Sequence, residues 1–264
     1  MDNPFSHRDY HPWLYMGLTF TWTWVLLGIP VLLGLQAQDF PVGILRALAG
    51  AGPMLATLFL VLTRLSPAEK IAYRQRLMAF RSIGPRCWLI VLGFVPALTF
   101  VAGSLDRLEG GPGVQLEAAA RFLEQPLSLV PFALFMLAFG PIPEELGWRG
   151  YALPGFQATW SPLVSSLILG VFWALWHLPL FFIPGTYQAG LGILTPAFWW
   201  FMLGMIPESV VMTWIFNQSR GSTLSAILFH FSINVTGEMF MLSPQGDVFS
   251  FLGWCLAAVL IAVL

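Results

Sequence analysis

The sequence predicts an all-α integral membrane protein of about eight transmembrane helices around a polar cavity at mid-membrane. Three observations carry this. Of 264 residues, 57% are hydrophobic and only 9% charged, whereas a soluble domain carries about 25% charged residues; the mean hydropathy is +0.76. Apolar runs of about 20 residues, the length that crosses a hydrocarbon core of about 30 Å, recur along the chain. Several of those runs are interrupted by polar and charged residues at the depth where they are most costly.

Spans are expected at 13–35, 42–63, 86–104, 130–154, 162–182, 196–217, 222–241 and 247–264. Backbone polar groups in lipid must be satisfied within the segment, which makes each span a helix. Together they make residues 1–264 a single polytopic domain. The first span follows a short head containing Arg8; it is too long for a signal-peptide core and has no A-x-A site after it, so it is expected to remain. Gly50, Gly52 and Pro53 read as places of close helix packing. Cys87 and Cys255 lie in or beside apolar runs and read as apolar fillers.

Arg64, Lys70, Arg74, Arg76, Arg81 and Arg86, half of the twelve cations, fall between the second and third spans. The positive-inside rule places that interval, and with it both termini, in the cytoplasm, at the cell membrane. Ile71, Leu77, Met78 and Phe80 alternate with the cations, as an interfacial amphipathic helix would have them; a solvated loop fits as well. The stretch Asp106–Gln125, with Gly110, Gly111, Pro112 and Gly113, reads as a flexible outer connection. No internal repeat, phosphate-binding glycine loop or nucleic-acid signature is present, which leaves the lipid bilayer as the evident partner.

The polar residues within spans fall into three groups. The fourth span contains Pro143-Glu144-Glu145-Leu146-Gly147-Trp148-Arg149, the fifth Trp173-Ala174-Leu175-Trp176-His177, and the seventh His230-Phe231-Ser232-Ile233-Asn234. Glu145 and Arg149 share a helix face and can pair, as His230 and Asn234 share one. Glu144, about 100° round the helix from Glu145, is left without a local cation. Counting inward from the basic side puts Glu144 at ~15 Å, His177 at ~22 Å, His230 at ~12 Å and Asn234 at ~18 Å. All four reach the middle of the bilayer, where they can meet. Glu208, after Pro207, and Glu238, one turn beyond Asn234, are two further carboxylates expected to be buried in supporting hydrogen-bond roles. Taken singly, each residue has a structural reading, as an ion pair or a hydrogen-bonded packing group. Their convergence at one depth favours chemistry.

Glu-Glu-x-x-x-Arg on one helix, an aromatic four residues before a histidine on the next, and His-x-x-x-Asn further on resemble the CAAX prenyl protease and bacteriocin-processing (CPBP, or Abi) family of intramembrane proteases. That family includes the Ras-converting type of CAAX endopeptidase. The resemblance covers about residues 126–240, the expected catalytic core. It implies an endopeptidase acting on a lipidated, CAAX-type or membrane-embedded peptide. It also implies that Glu144 activates water, that His177 helps to hold it, and that His230 and Asn234 donate to the oxyanion. Glu145 and Arg149 would orient those groups. Glu208 and Glu238 have no place in the pattern.

The residue chemistry suits this scheme. A carboxylate in a low-dielectric site becomes a stronger base while nearby donors keep it ionised, and amide hydrolysis needs donors aimed at the developing oxyanion. No cofactor is expected on this reading. Ser209 and Ser232 have no evident base partner. A rival set, Glu144, His177 and His230 with water as fourth ligand, would make a zinc protease. A non-catalytic immunity or scaffold protein would use the same polar cluster to hold helices together. A transporter fits less well, because no repeated broken-helix pattern is present.

Overall fold

The computed structural model describes residues 9–263; Arg8 and Leu264 lie outside them. The described residues form helices, with no strand beyond one isolated bridge between Gln115 and Met241. In chain order the helices are α1 (Pro12–Leu33), α2 (Val42–Gly50), α3 (Gly52–Thr63), α4 (Pro67–Leu77), α5 (Pro85–Leu108), α6 (Glu117–Glu124), α7 (Leu129–Ala138), α8 (Pro141–Gly147), α9 (Leu153–Gln157), α10 (Pro162–His177), α11 (Tyr187–Leu191), α12 (Pro196–Gln218), α13 (Thr223–Met239) and α14 (Pro244–Val263). A π-helical turn, Trp148–Ala152, joins α8 to α9.

Helix starts follow local chemistry. Proline opens α1, α4, α5, α10, α12 and α14, where its missing N–H costs nothing. The hydroxyls of Ser66, Ser161, Thr195 and Ser222 accept a first-turn N–H at the starts of α4, α10, α12 and α13.

Six stretches are long and apolar enough to cross a bilayer: Pro12–Leu33, Pro85–Leu108, Pro126–Gln157, Pro162–Phe182, Pro196–Gln218 and Pro244–Val263. A seventh is added if α2 and α3, bent by 44° between them, count as one span. The remaining expected span, 222–241, corresponds to α13, whose 17 residues reach about 25 Å and carry His230, Asn234 and Glu238. The multi-pass, all-helical architecture stands. Leu32, Leu89, Val25 and Leu134, all exposed on the protein's outer surface, mark flanks made for hydrocarbon rather than water.

Three local expectations are resolved. The basic segment forms a helix, α4, held at its start by a reciprocal pair in which Ser66 and Glu69 each bond the other's backbone. Asp106–Gln125 is not a loose connection. Asp106 is buried and accepts from the Gly113 N–H and the Ser243 hydroxyl, Gln115 pairs with Met241, and α6 follows. Composition signalled flexibility, but one buried carboxylate organises the turn. Of the glycines in the second span, Gly52 meets α1 so closely that a Cβ would run into the Thr23 hydroxyl, whereas Gly50 faces open space.

Candidate active site

The fourth span is broken where the site begins. Gly140, at φ -144 and ψ -93, separates α7 from α8. Pro141 and Pro143 then occupy the first turn, where absent N–H groups are tolerated. Glu144 and Glu145 follow, exposed by only 7% and 0%. Gly147 lets this short helix press against α3, because a Cβ there would lie 2.8 Å from the Pro53 carbonyl oxygen. Beyond it the ladder widens: the Leu153 N–H bonds the Trp148 carbonyl, five residues back. Such π turns are often found at functional sites.

Neighbouring positions on a helix point about 100° apart, and the two carboxylates diverge accordingly. Glu145 turns into a wholly buried ion-pair network. Arg149 Nη1 donates to its Oε1 at 3.0 Å and to its Oε2 at 3.2 Å, and His230 Nδ1 meets Oε1 at 2.9 Å. Arg149 Nη2 reaches the Ser209 hydroxyl at 3.2 Å. The guanidinium carbon also stands 5.0 Å from the Trp173 ring centroid, a cation–π contact. The carboxylate accepting two guanidinium bonds is ionised, so His230 Nδ1 carries the proton it shares with Glu145.

Glu144 points elsewhere. Its Oε2 accepts a 2.7 Å bond from the indole N–H of Trp173, a neutral donor. Trp173 packs edge-on to His230, with ring centroids 5.2 Å apart, and to His177 at 6.2 Å. His177 closes α10. Its Nδ1 lies 2.9 Å from the Trp173 carbonyl, which can only accept, so Nδ1 donates and the neutral ring keeps a lone pair on Nε2. Trp176 and Phe201 flank that ring at 4.8 and 5.6 Å. Asn234 is half-buried, its amide nitrogen only 3.1 Å from where a Cβ on Gly140 would stand. It therefore sits against the residue that starts α8. Helices α10 and α12 approach at Gly170, where a Cβ would be 2.8 Å from Ile206 Cα, and this brings Trp173 to the Arg149–Ser209 pair.

Glu145, Arg149 and His230 thus form one connected cluster, and Glu144, Trp173 and His177 form a second that adjoins it through Trp173. The sequence reading missed Trp173 and Ser209 as members. The aromatic four residues before His177 was the available signal for the first; nothing near Ser209 points at Arg149, which is 60 positions away. The two further carboxylates differ from expectation. Glu238 is exposed, one residue short of the end of α13, because the helix stops there and its last turn leaves the core. Glu208 is half-buried and close enough to His230 and Arg149 to feel their charges, yet among the described residues it has no hydrogen-bond partner.

The two ends of the site are unlike. From Trp148 to Phe156, on the side of α4, every residue is buried. His177, Asn234 and Glu208, toward the other side, are partly exposed. Among the described residues, no three His, Cys, Asp or Glu side chains converge closely enough to hold a metal ion. His177 and His230 nonetheless each have Nδ1 anchored and Nε2 without a hydrogen bond among the described residues, which is also how metal-binding histidines are oriented.

Residues 126–236 match the family described as type II CAAX prenyl endopeptidase Rce1-like. Over 247 residues, 92% of this chain and 90% of the relative, the sequence is 30% identical to CAAX prenyl protease 2 of Methanococcus maripaludis. The chain belongs to the type II CAAX prenyl endopeptidase family. It is an integral, multi-pass intramembrane protease, and the part matched by the family begins and ends on the segments that carry the two clusters.

Proposed function

We infer that this protease hydrolyses a peptide bond with water activated by Glu144, without a metal. The observation that carries the reading is the divergence of two adjacent carboxylates. Glu145 is saturated by Arg149 and His230, whereas Glu144 keeps an oxygen free and is held only by a neutral indole. A carboxylate with no cation bonded to it, beside partly exposed polar groups, is suited to take a proton from water. The His177 Nε2 lone pair can accept the second water hydrogen and so aim the oxygen. The hydroxide adds to the scissile carbonyl carbon while the carbonyl electron pair moves to oxygen. That oxyanion takes bonds from the Asn234 amide and from Nε2–H of His230, which donates there when Glu145 holds the ring as imidazolium. On collapse, the C–N bond breaks and Glu144 returns its proton to the leaving amine.

The substrate class follows the relative's name and the setting: a prenylated CAAX-type or membrane-embedded peptide. Access runs from the face opposite the basic helix, where His177 and Asn234 are partly exposed. Glu144→Gln tests the mechanism. Gln still accepts from Trp173, so the melting temperature should hold while turnover falls by roughly 10²–10⁴. Wild-type turnover in this variant would make Glu144 a packing residue.

A further inference from the structure

The basic helix between α3 and α5 has no part in the chemistry above. Arg64, Arg74, Arg81 and Arg86 are exposed, and so are Ile71, Met78 and Phe80 among them. Cations interleaved with apolar side chains, on a helix and the short flanks that join it to two spans, suit the boundary between headgroups and acyl chains. The opposite face is engaged. Tyr73 is buried, and its hydroxyl donates to the Leu146 carbonyl at 3.1 Å. Burial pushes that phenol well above its usual range, so it remains a donor at any working pH. Arg76 donates to the Gly150 carbonyl at 3.2 Å and to the Tyr10 hydroxyl at 2.9 Å.

Those two carbonyls flank Arg149. In an α ladder the Gly150 carbonyl would receive the N–H of residue 154, but that residue is Pro154 and has none. The wider π step leaves the Leu146 carbonyl in the same irregular stretch. Two side chains of α4 thus complete the hydrogen bonding of the turn that presents Arg149 to Glu145. The side chains of Trp148, Arg149, Tyr151 and Ala152 are wholly buried, so protein groups are the main partners available there.

We propose that α4 is a brace set by anionic phospholipid: headgroups of the surrounding bilayer bind the exposed Arg74 on the helix and Arg64, Arg81 and Arg86 on its flanks and seat the helix, and Tyr73 and Arg76 pass that seating to the Leu146–Gly150 turn. The coupling rests on the catalytic reading of Glu144, Glu145 and Arg149; the lipid binding does not. Tyr73 and Arg76 are positioning residues, since neither reaches the candidate site itself.

The full chain, reconstituted in vesicles of phosphatidylcholine with a graded share of phosphatidylglycerol, tests this on a membrane-anchored peptide. The expected result is a kcat that rises with phosphatidylglycerol while KM stays level, and a rise that weakens with added salt. In detergent, phosphatidylglycerol should raise the melting temperature of wild type and of Glu144→Gln alike, a readout independent of turnover. Combining Arg74→Gln, Arg81→Gln and Arg86→Gln should move the half-saturating lipid share upward by roughly tenfold or more, leaving activity in pure phosphatidylcholine unchanged. Tyr73→Phe should keep the lipid-induced melting shift and lose the rise in kcat. Equal kcat and equal melting in both lipids overturn the proposal. A Tyr73→Phe protein that is still activated overturns the coupling. An active Glu144→Gln enzyme instead sinks the mechanism, while the melting titration still reads the lipid site.

Discussion

Replacing Glu145 by Gln tests whether the buried network holds the site together. The wild-type carboxylate accepts three bonds, two from Arg149 and one from His230, at 3.0, 3.2 and 2.9 Å. A glutamine of the same shape has one acceptor oxygen and one NH₂. Whichever way the amide turns, the NH₂ faces a guanidinium nitrogen about 3 Å away, donor against donor. Arg149 is wholly buried and cannot reach water instead. Stranding one partner of a buried pair costs about 3–5 kcal/mol. At roughly 2–4 °C per kcal/mol for a chain of this size, the melting temperature should fall by roughly 6–20 °C. His230 also loses the anion that holds its second proton, so turnover should drop by at least about tenfold. Thermal melting in detergent and peptide cleavage read the two effects separately. Adding Arg149→Met to Glu145→Leu removes both charges and should restore much of the stability without restoring activity. A Glu145→Gln protein that melts like wild type and cleaves normally would refute the network as described.

Trp173→Phe keeps the ring packing but removes the N–H that holds Glu144; a bond to a charged group is worth about 1.5–3 kcal/mol, so kcat should fall by about tenfold or more with KM little changed, and wild-type kcat would remove Trp173 from the site. For zinc, the glutamate reading expects that chelator-treated protein still cleaves substrate and ignores added metal. One equivalent of tightly held zinc, with activity lost on its removal and restored on its return, would establish the metalloprotease reading. The positive-inside expectation for the six cations around α4 is tested by side-selective labelling of single cysteines at Arg74 and Gly111, which should find them on opposite sides, with Arg74 inside. Labelling that places Gly111 in the cytoplasm would reverse the orientation.

The all-helical membrane architecture was legible in the sequence because the bilayer imposes a length and a composition on each span. Glu145 with Arg149 was legible too, since a helix places positions four apart on one face, and the two histidine motifs could be assigned a depth by counting. Separation along one helix is local information. What joins different helices is not. The Glu145–His230 bond spans 85 positions and the Trp173–Glu144 bond 29, and both depend on how α8, α10 and α13 come together. The tertiary structure alone decided that His230 joins Arg149 on Glu145 while Glu144 meets the Trp173 indole. It likewise showed that Asp106 orders a glycine-rich stretch, that Glu238 falls past the core, and that α4 donates to two carbonyls at the π turn, one of which has Pro154 where an α ladder would supply its donor. Each of these depends on which buried polar group finds its partner, a choice made across the fold and not along the chain.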